Sequence, residues 1–211
     1  MVINEIYVSI QGESTYAGLP CVFVRTTGCN LRCNYCDTVY AFEEGKEMTL
    51  AQILRKVDSY KIPLVEITGG EPLLQKDINP LVTQLCDKSY TVLIETSGSL
   101  DISALDPRAI RIMDLKCPSS GEMESMLWDN LRYLTPRDEI KFVIGDERDF
   151  YWALNVIKKH KLDQKCPILF SCVFDSLHPK TLAEWMLNEK VSVRLQLQMH
   201  KYIWPPNERK V

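Results

Sequence analysis

Apolar residues follow two different periods along the chain. Short runs rich in Val, Ile, Leu and Phe are typical of buried strands. They lie at 21–27, 63–68, 90–96, 109–116, 139–144, 167–174 and 191–199. Longer segments between them favour helices, several with the spacing of an amphipathic helix, and Thr49 is placed to cap the first. These segments are 49–60, 76–89, 122–134, 147–161 and 179–189. The alternation predicts a parallel sheet with helical crossovers.

The number of strand–helix units limits the possible architecture. Six or seven units fit into 211 residues, whereas a full eight-unit barrel usually needs about 250 residues. We therefore expect an α/β fold, a partial, open-sided (β/α) barrel with about six or seven mostly parallel strands. One domain is expected over 1–211, with an N-terminal arm or extra strand at 1–20 and a C-terminal tail at 200–211.

Unusual residues cluster where the predicted strands end. The cysteine-rich loop, "TGGEP", "ETSG", "DLKCPSS" and "SCVF" each occupy the end of a strand or the loop after it. The carboxyl ends of parallel strands converge on one face, which carries the chemistry in such folds. Gly and Pro also punctuate ordinary loops, but that explanation fits one loop better than five together.

Composition and charge argue against two classes of protein, nucleic-acid-binding proteins and membrane proteins. The chain is 45% apolar and 25% charged with a net charge of −3, so nothing predicts nucleic-acid binding. The N-terminus lacks a basic signal-peptide region, and no apolar run approaches the ~20 residues of a membrane-spanning helix. We expect a soluble cytoplasmic protein with no membrane partner. Most of its eight cysteines are then expected to be reduced and buried.

Three cysteines are clustered in "GCNLRCNYCDT", with the spacing C-x3-C-x2-C. Thiolates are soft ligands for zinc and for iron–sulfur clusters. A structural zinc site normally closes with four ligands, and only three lie together here. A four-iron cluster held by Cys29, Cys33 and Cys36 would leave one iron open to a small molecule. Unligated thiols and a zinc staple remain the alternatives from the cysteines alone.

The cysteine spacing, with Tyr35 before the last cysteine, resembles the radical S-adenosylmethionine (SAM) superfamily. "GGEP" at 69–72 matches the second hallmark of that superfamily. The resemblance implies a [4Fe-4S] cluster whose open iron binds SAM, with "GGEP" and the region of Glu71 orienting the methionine end. One electron would cleave SAM to a 5′-deoxyadenosyl radical, while the protein orients the cofactors and excludes water.

A closer resemblance covers nearly the whole chain. "EIYVSIQGEST", "FVRTTGCNLRCNYCDT", "EITGGEPLLQ", "IETSGS", "DLKCPSSG" and "QLQMHKYIWP" look like the 7-carboxy-7-deazaguanine synthase family of the queuosine pathway. The resemblance implies a ring-contracting carbon–nitrogen lyase that converts 6-carboxy-5,6,7,8-tetrahydropterin to 7-carboxy-7-deazaguanine and releases ammonia. It also implies Mg²⁺, regenerated SAM, a homodimer, and flavodoxin or ferredoxin as electron donor.

The same resemblance assigns site residues. Substrate binding falls on Ile10, Gln11, Gly12, Arg25, Thr68 and Pro205. SAM binding falls on Tyr35, Cys36, Asp37, Gly70, Glu95, Ser97, Asp114, Leu115, Lys116, Ser171, Cys172, Val173 and Phe174. Cys29, Cys33 and Cys36 hold the cluster, and Thr38 binds Mg²⁺, a hard ion that takes few protein oxygens.

Arg25 also has a physical interpretation of its own. A charge within a strand is costly unless it is paired, and a guanidinium suits a carboxylate such as that of the pterin. An arginine reaching solvent at a strand end is the alternative. Two other functions remain open, a radical SAM activase of a glycyl-radical enzyme and a non-catalytic zinc-binding module. "IQGE" together with Arg25 and "HKYIW" favours the synthase.

Overall fold

The computed structural model describes all 211 residues and contains one nine-stranded sheet. The strands are β1 (Val2–Ile10), β2 (Pro20–Thr26), β3 (Lys46–Glu47), β4 (Leu64–Gly69), β5 (Thr91–Thr96), β6 (Ile110–Asp114), β7 (Glu139–Ile144), β8 (Ile168–Cys172) and β9 (Arg194–Gln196). The α-helices are α1 (Leu50–Tyr60), α2 (Ile78–Asp87), α3 (Glu147–His160), α4 (Pro179–Asn188) and α5 (His200–Ile203).

The sheet is open and mostly parallel, as predicted. Its order is β3-β1-β2-β4-β5-β6-β7-β8-β9, so β3 and β9 are the two edges. Seven strands, β2 and β4 to β9, run parallel to one another. The N-terminal segment forms β1, which pairs antiparallel with both β2 and β3. None of the helices is both long and apolar enough to cross a membrane.

The two faces of the sheet differ in polarity because successive side chains in a strand point to opposite sides. In β4, Val65 and Ile67 belong to the main cluster of 35 buried apolar residues, whereas Glu66 and Thr68 line a cavity on the other face. The helices supply the other side of that core, for example Ile53 of α1 and Phe150 of α3. The sheet therefore has an apolar face under the helices and a polar inner face.

Helix α1 begins where the sequence predicted. Thr49 is its N-cap and accepts from the Gln52 backbone N–H, while the Gln52 side chain accepts from the Thr49 N–H. This reciprocal pair is a capping box. Ile53, Leu54 and Val57 form the buried face of the helix.

Two predicted elements were wrong in part. Residues 122–134 form short 3-10 turns, not a helix, because buried Asn130 bonds to the backbone of the loop after β5 at Gly98, Leu100 and Ile102. The strand predicted at 191–199 is shortened to Arg194–Gln196. The segment before this strand makes a backbone hydrogen bond to α4. After the strand, the Met199 N–H donates to Gly12 O at 3.0 Å instead of continuing the hydrogen bonds of the sheet.

Candidate active site

A cavity of about 680 Å³ lies on the polar face of the sheet, above the carboxyl ends of the parallel strands. Its volume falls within the range of small-molecule and cofactor sites. Nearly all residues that the sequence assigned to the site line this one cavity; the exceptions are Leu115 and Pro205. The strand-end loops therefore converge as the predicted fold requires.

The three clustered cysteines are half-buried in one wall of the cavity and form no disulfide. Their loop is held by Asn34, whose backbone N–H donates to Ser120 O at 2.9 Å and whose Nδ2 donates to Ser119 O at 3.0 Å. Burial raises the pKa of the Cys33 thiol to about 11, although Lys116 opposes this shift. No three His, Cys, Asp or Glu side chains are placed to hold a single metal ion.

The donor set of this wall fits an iron–sulfur cluster. Soft thiolates are the ligands that such clusters take, and cysteine is their usual source. Three thiols in the wall of an open cavity would present a cluster to a ligand inside it.

The "GGEP" loop packs directly against the cysteine loop. The Glu71 N–H donates to Gly28 O at 2.8 Å. A Cβ built on Gly70 would lie 2.1 Å from Gly28 O, so no side chain fits at this position. The glycine therefore allows two backbones to approach beside the cysteines, and its own backbone faces the cavity.

Glu71 itself points away from the cavity. Its carboxylate is fully buried and accepts from the Ser97 N–H at 2.7 Å and from Thr96 Oγ1 at 2.9 Å. It also accepts from the Leu73 N–H at 3.0 Å. The side chain thus ties the "GGEP" loop to the end of β5 and positions the loop, rather than offering a ligand group.

Arg25 projects from β2 into the cavity with one end of its guanidinium anchored. Nε donates to Glu5 Oε1 at 2.9 Å, and Nη2 donates to the Tyr7 hydroxyl at 3.1 Å. Burial works against the charge, but Tyr7, Tyr40 and Glu5 together raise the pKa of Arg25. Nη1 has no partner in the protein, and Nη2 retains one hydrogen besides that donated to Tyr7, so the two can make an end-on bidentate contact with a carboxylate.

A buried charge network that the sequence analysis missed lies deeper in the cavity. Lys141 of β7 donates to Glu13 Oε2 at 3.1 Å and also to Glu95. Thr68 Oγ1 donates to Glu95 Oε2 at 3.0 Å. Burial opposes ionisation of Glu95, but Lys141 outweighs it and lowers the pKa of that carboxyl. For Glu66, burial and then the like charges of Glu95 and Glu13 raise the pKa well above its ordinary value.

Glu13 joins the first loop of the sheet to its last strand. Besides Lys141, its carboxylate accepts from Gln196 Nε2 at 2.9 Å and from Gln198 Nε2 at 3.1 Å. Gln196 Oε1 in turn accepts from the Ser14 N–H at 2.7 Å. These contacts engage both oxygens of Glu13 and connect the loop after β1 to the residues at and after β9.

All but one of the residues expected to bind SAM line the cavity, and the exception, Leu115, lies in the apolar core. Lys116 Nζ donates to Asp114 Oδ2 at 2.6 Å, and both side chains line the cavity. Burial opposes the ammonium charge of Lys116, but Asp114 outweighs it and raises the pKa. Leu115 is buried in the apolar core, since alternation along the chain turns its side chain to the other face. Only its backbone is available to a ligand.

The C-terminal tail forms part of the cavity mouth. The residues that line the cavity are Pro206 to Val211, while Pro205 is exposed and lies outside the lining. Arg209 holds the tail, because Nη1 donates to Glu44 Oε2 at 2.9 Å and the guanidinium stacks 3.6 Å from the Tyr40 ring centroid. The cavity lining at this end of the chain therefore begins one residue after Pro205, the residue that the sequence assigned.

Comparison with known proteins fits this site. The family model described as the Radical SAM superfamily matches residues 23–115, which include the cysteine and "GGEP" loops. A 7-carboxy-7-deazaguanine synthase from Chlorobaculum tepidum is 48% identical over 99% of this chain and 96% of its own length. The chain belongs to the 7-carboxy-7-deazaguanine synthase family. A second relative of that name, from Koribacter versatilis, is 45% identical over 100% of both chains.

Solved structures share the fold with this member of the synthase family. The crystal structure of QueE from Escherichia coli superposes with a TM-score of 0.77 and 24% identity over 94% of both chains. Streptococcus suis SuiB bound to S-adenosylmethionine gives a TM-score of 0.55 and 12% identity, over 83% of this chain and 46% of SuiB. The open, mostly parallel sheet is therefore common to these proteins.

The synthase-family site contains residues that sequence reasoning did not assign. Tyr7, Phe23, Tyr40, Glu66 and Lys141 all line the cavity. For Glu66 and Lys141 a signal existed, since each is a charge at an alternate position of a mostly apolar strand. Glu66 is the one charge of "LVEITG", and Lys141 follows Glu139 by two positions in "EIKFVI". Such a charge faces the polar side of the sheet, and there it lines the site.

Proposed function

We propose that this protein is a radical SAM lyase that converts 6-carboxy-5,6,7,8-tetrahydropterin to 7-carboxy-7-deazaguanine and releases ammonia, in queuosine biosynthesis. The observation that carries the proposal is the single cavity that joins the three cysteines, the Gly70 backbone and the free edge of Arg25. Relatives that are 48% and 45% identical over nearly the whole chain carry the name of the product's synthase.

In this proposal the cavity walls have distinct tasks. Cys29, Cys33 and Cys36 hold the [4Fe-4S] cluster, and with SAM bound it supplies a 5′-deoxyadenosyl radical. Ser171, Cys172, Val173 and Phe174 line the wall formed by the end of β8, and we assign them to SAM. We assign the same cofactor to Tyr35, Asp37, Gly70, Glu95, Ser97, Asp114, Lys116 and the backbone of Leu115.

The substrate is held at its carboxylate and at its ring. Arg25 binds the carboxylate through Nη1 and Nη2, because Glu5 and Tyr7 fix the guanidinium from the other side. Ile10, Gln11, Gly12 and Thr68 line the cavity beside it and face the heterocycle. Fixing both ends places the reacting carbon near the radical, and such positioning supplies much of the rate of a reaction of this kind.

We assign Mg²⁺ to Thr38. Its hydroxyl lies in the cavity lining and donates to Asp37 Oδ1 at 2.9 Å, and Asp37 also accepts from Lys201 Nζ at 2.9 Å. A hydroxyl with substrate oxygens and water suits a hard ion that keeps much of its hydration. Bound Mg²⁺ would neutralise charge on the substrate carboxylate.

The proposal extends to partners and compartment. A flavodoxin or ferredoxin supplies the electron, and the compartment is the cytoplasm, as eight free cysteines favour. We also propose a homodimer. Exposed apolar side chains at and beyond the β9 edge support a self-association surface: Leu195, Leu197, Met199, Tyr202 and Ile203.

The test is an anaerobic assay with 6-carboxytetrahydropterin, SAM, Mg²⁺ and reductant, followed by detection of the deazaguanine. Alanine at Cys29, Cys33 or Cys36 should abolish both the ~400 nm absorbance and the activity, since thiolates hold the irons. Alanine at Cys86 or Cys166, which lie outside the cavity, should retain both. Product formation by Cys33→Ala, or absence of product with a fully loaded wild-type cluster, would refute the proposal.

A further inference from the structure

The side-chain amide of Gln11 is held in the cavity by two hydrogen bonds, one that it accepts and one that it donates. Its side chain lines the cavity, and the residue is only 2% exposed. Oε1 accepts from the Glu13 backbone N–H at 2.9 Å, while Nε2 donates to Glu66 Oε2. Because an amide oxygen only accepts and an amide nitrogen only donates, the two contacts define one orientation of the amide.

Burying the Glu66 carboxyl to bond Gln11 is energetically unfavourable. It lies on β4 at 5% exposure, and its side-chain hydrogen bond is to Gln11. The nearby Lys141 bonds to Glu13 and Glu95 and not to Glu66. A buried acid without a cation partner is unfavourable. The benefit of placing Glu66 here is a hydrogen-bond acceptor that faces Gln11 Nε2.

The remaining hydrogen-bonding capacity of Gln11 has a defined polarity. One Nε2 hydrogen and one Oε1 lone pair are left, so the amide presents a donor and an acceptor side by side. A pterin has the complementary pair along its lactam edge, where N3–H donates and O4 accepts. A 4-amino pterin reverses both groups, with N3 accepting and the amino group donating.

We propose that Glu66 is a positioning residue which, by fixing the Gln11 amide, makes the cavity select the lactam edge of a 4-oxo pterin over its 4-amino counterpart. The inference rests on the proposed pterin substrate and adds a residue that sets its specificity. Glu66 acts through Gln11 and does not itself contact the substrate.

The test compares two stable, aromatic, fluorescent ligands, pterin-6-carboxylate and 2,4-diaminopteridine-6-carboxylate. Their dissociation constants are measured anaerobically on cluster-loaded, SAM-bound protein, so no turnover is needed. Wild type should prefer the 4-oxo ligand by about 10- to 100-fold, because the reversed edge leaves buried groups unpaired. Glu66→Leu should reduce the preference to about threefold or less, with SAM affinity and cluster content unchanged.

Three variants separate positioning from a general loss of structure. Glu66→Gln keeps an acceptor and should retain the preference within about threefold, whereas Gln11→Met should lose it. Glu66→Leu combined with Gln11→Met should lose no more than Gln11→Met alone, since residues acting as one unit are not additive. Glu139→Gln, another buried acid on the same face but outside the cavity lining, is the control and should behave as wild type.

The outcomes distinguish this inference from the proposed function. Unchanged discrimination in Glu66→Leu, or additive losses in the double variant, would overturn the positioning role. If Glu66→Leu does not fold, Glu66→Met also removes the acceptor, and its discrimination between the two ligands tests the proposal in the same way. Failure of wild type to bind either pterin would refute the proposed function instead.

Discussion

At the scale of single residues, the site depends on charges that are buried and held by partners. Arg25 has Glu5 and Tyr7 behind it, and Lys141 has Glu13 and Glu95. A charged side chain in such surroundings keeps a fixed orientation, because moving it would leave a buried group without a hydrogen-bond partner. This pre-arrangement is what a site for a small anionic substrate needs.

The end-on edge of Arg25 gives a sharp prediction. Arg25→Lys should weaken binding of the pterin carboxylate by about 30-fold or more, because an ammonium cannot form the fork and also keep the contact with Glu5. SAM affinity and cluster content should stay at wild-type values. Equilibrium binding of pterin-6-carboxylate measures the change, with exposed Arg132→Lys as control. Lost SAM binding with normal pterin binding would reverse the role assigned to Arg25.

Glu66 predicts a pH dependence of stability. Its pKa is raised in the folded protein, first by burial and then by Glu95 and Glu13, from an ordinary value of 4.5 in the unfolded chain. Its contribution to stability is therefore full below about pH 4.5 and is lost as pH rises through the folded pKa. Relative to wild type, Glu66→Gln should gain free energy of unfolding between pH 5 and pH 8.

Urea denaturation of both proteins at the two pH values measures this difference. The comparison cancels titrating groups distant from position 66, so the difference reports Glu66 and the carboxyls that interact with it, Glu95 and Glu13. A stability difference that is the same at pH 5 and pH 8 would show that Glu66 is not held as a costly acid.

At the scale of elements, the ends of helices and strands place the site. Thr49 fixes where α1 begins, and the "GGEP" loop is set by Gly70 against Gly28 and by Glu71 against Ser97. The two contacts of the "GGEP" loop join it to backbone groups of the cysteine loop and of the loop after β5. Hydrogen bonds thus connect this cavity wall to the sheet that carries it.

The capping box of α1 can be tested alone, since it is far from the cavity lining. Thr49→Ala should lower the free energy of unfolding by about 1 kcal/mol, because the Gln52 N–H loses its acceptor. Ser59→Ala, on the exposed side of the same helix, is the matched control and should change stability by less than about 0.5 kcal/mol. Equal effects of the two changes in urea denaturation would exclude a capping role.

At the scale of the whole molecule, distant parts of the chain complete the cavity. Glu13 connects the loop after β1 to the residues around β9, and the tail beyond Pro205 reaches back to the loop after the cysteines. The open sheet is thus bridged by side chains at the end where the ligands are expected. Separate segments, not one motif, enclose the cavity.

The tail contact of Arg209 predicts a selective effect. Arg209→Ala should raise the KM for the pterin by about threefold to tenfold, because the tail loses its contacts with Glu44 and Tyr40. The kcat at saturating substrate and SAM affinity should change little. High salt should imitate the variant in wild type, since exposed ion pairs are screened. Arg148→Ala, also exposed, is the control. An unchanged KM would show that the tail does not close the site.

The sequence by itself determined most of the element types, with 122–134 as an exception, together with the mostly parallel sheet and the strand ends that carry the site. It could do so because these features depend on local periodicity and on short motifs such as the cysteine triad and "GGEP". Alternation also determines that Glu66 and Lys141 share a face with Thr68. Only the tertiary structure decided that Lys141 bonds to Glu13 and Glu95 and that residues beyond Pro205 line the cavity. Such pairings join residues far apart in the chain, and local pattern contains no information about which distant partner a buried charge will meet.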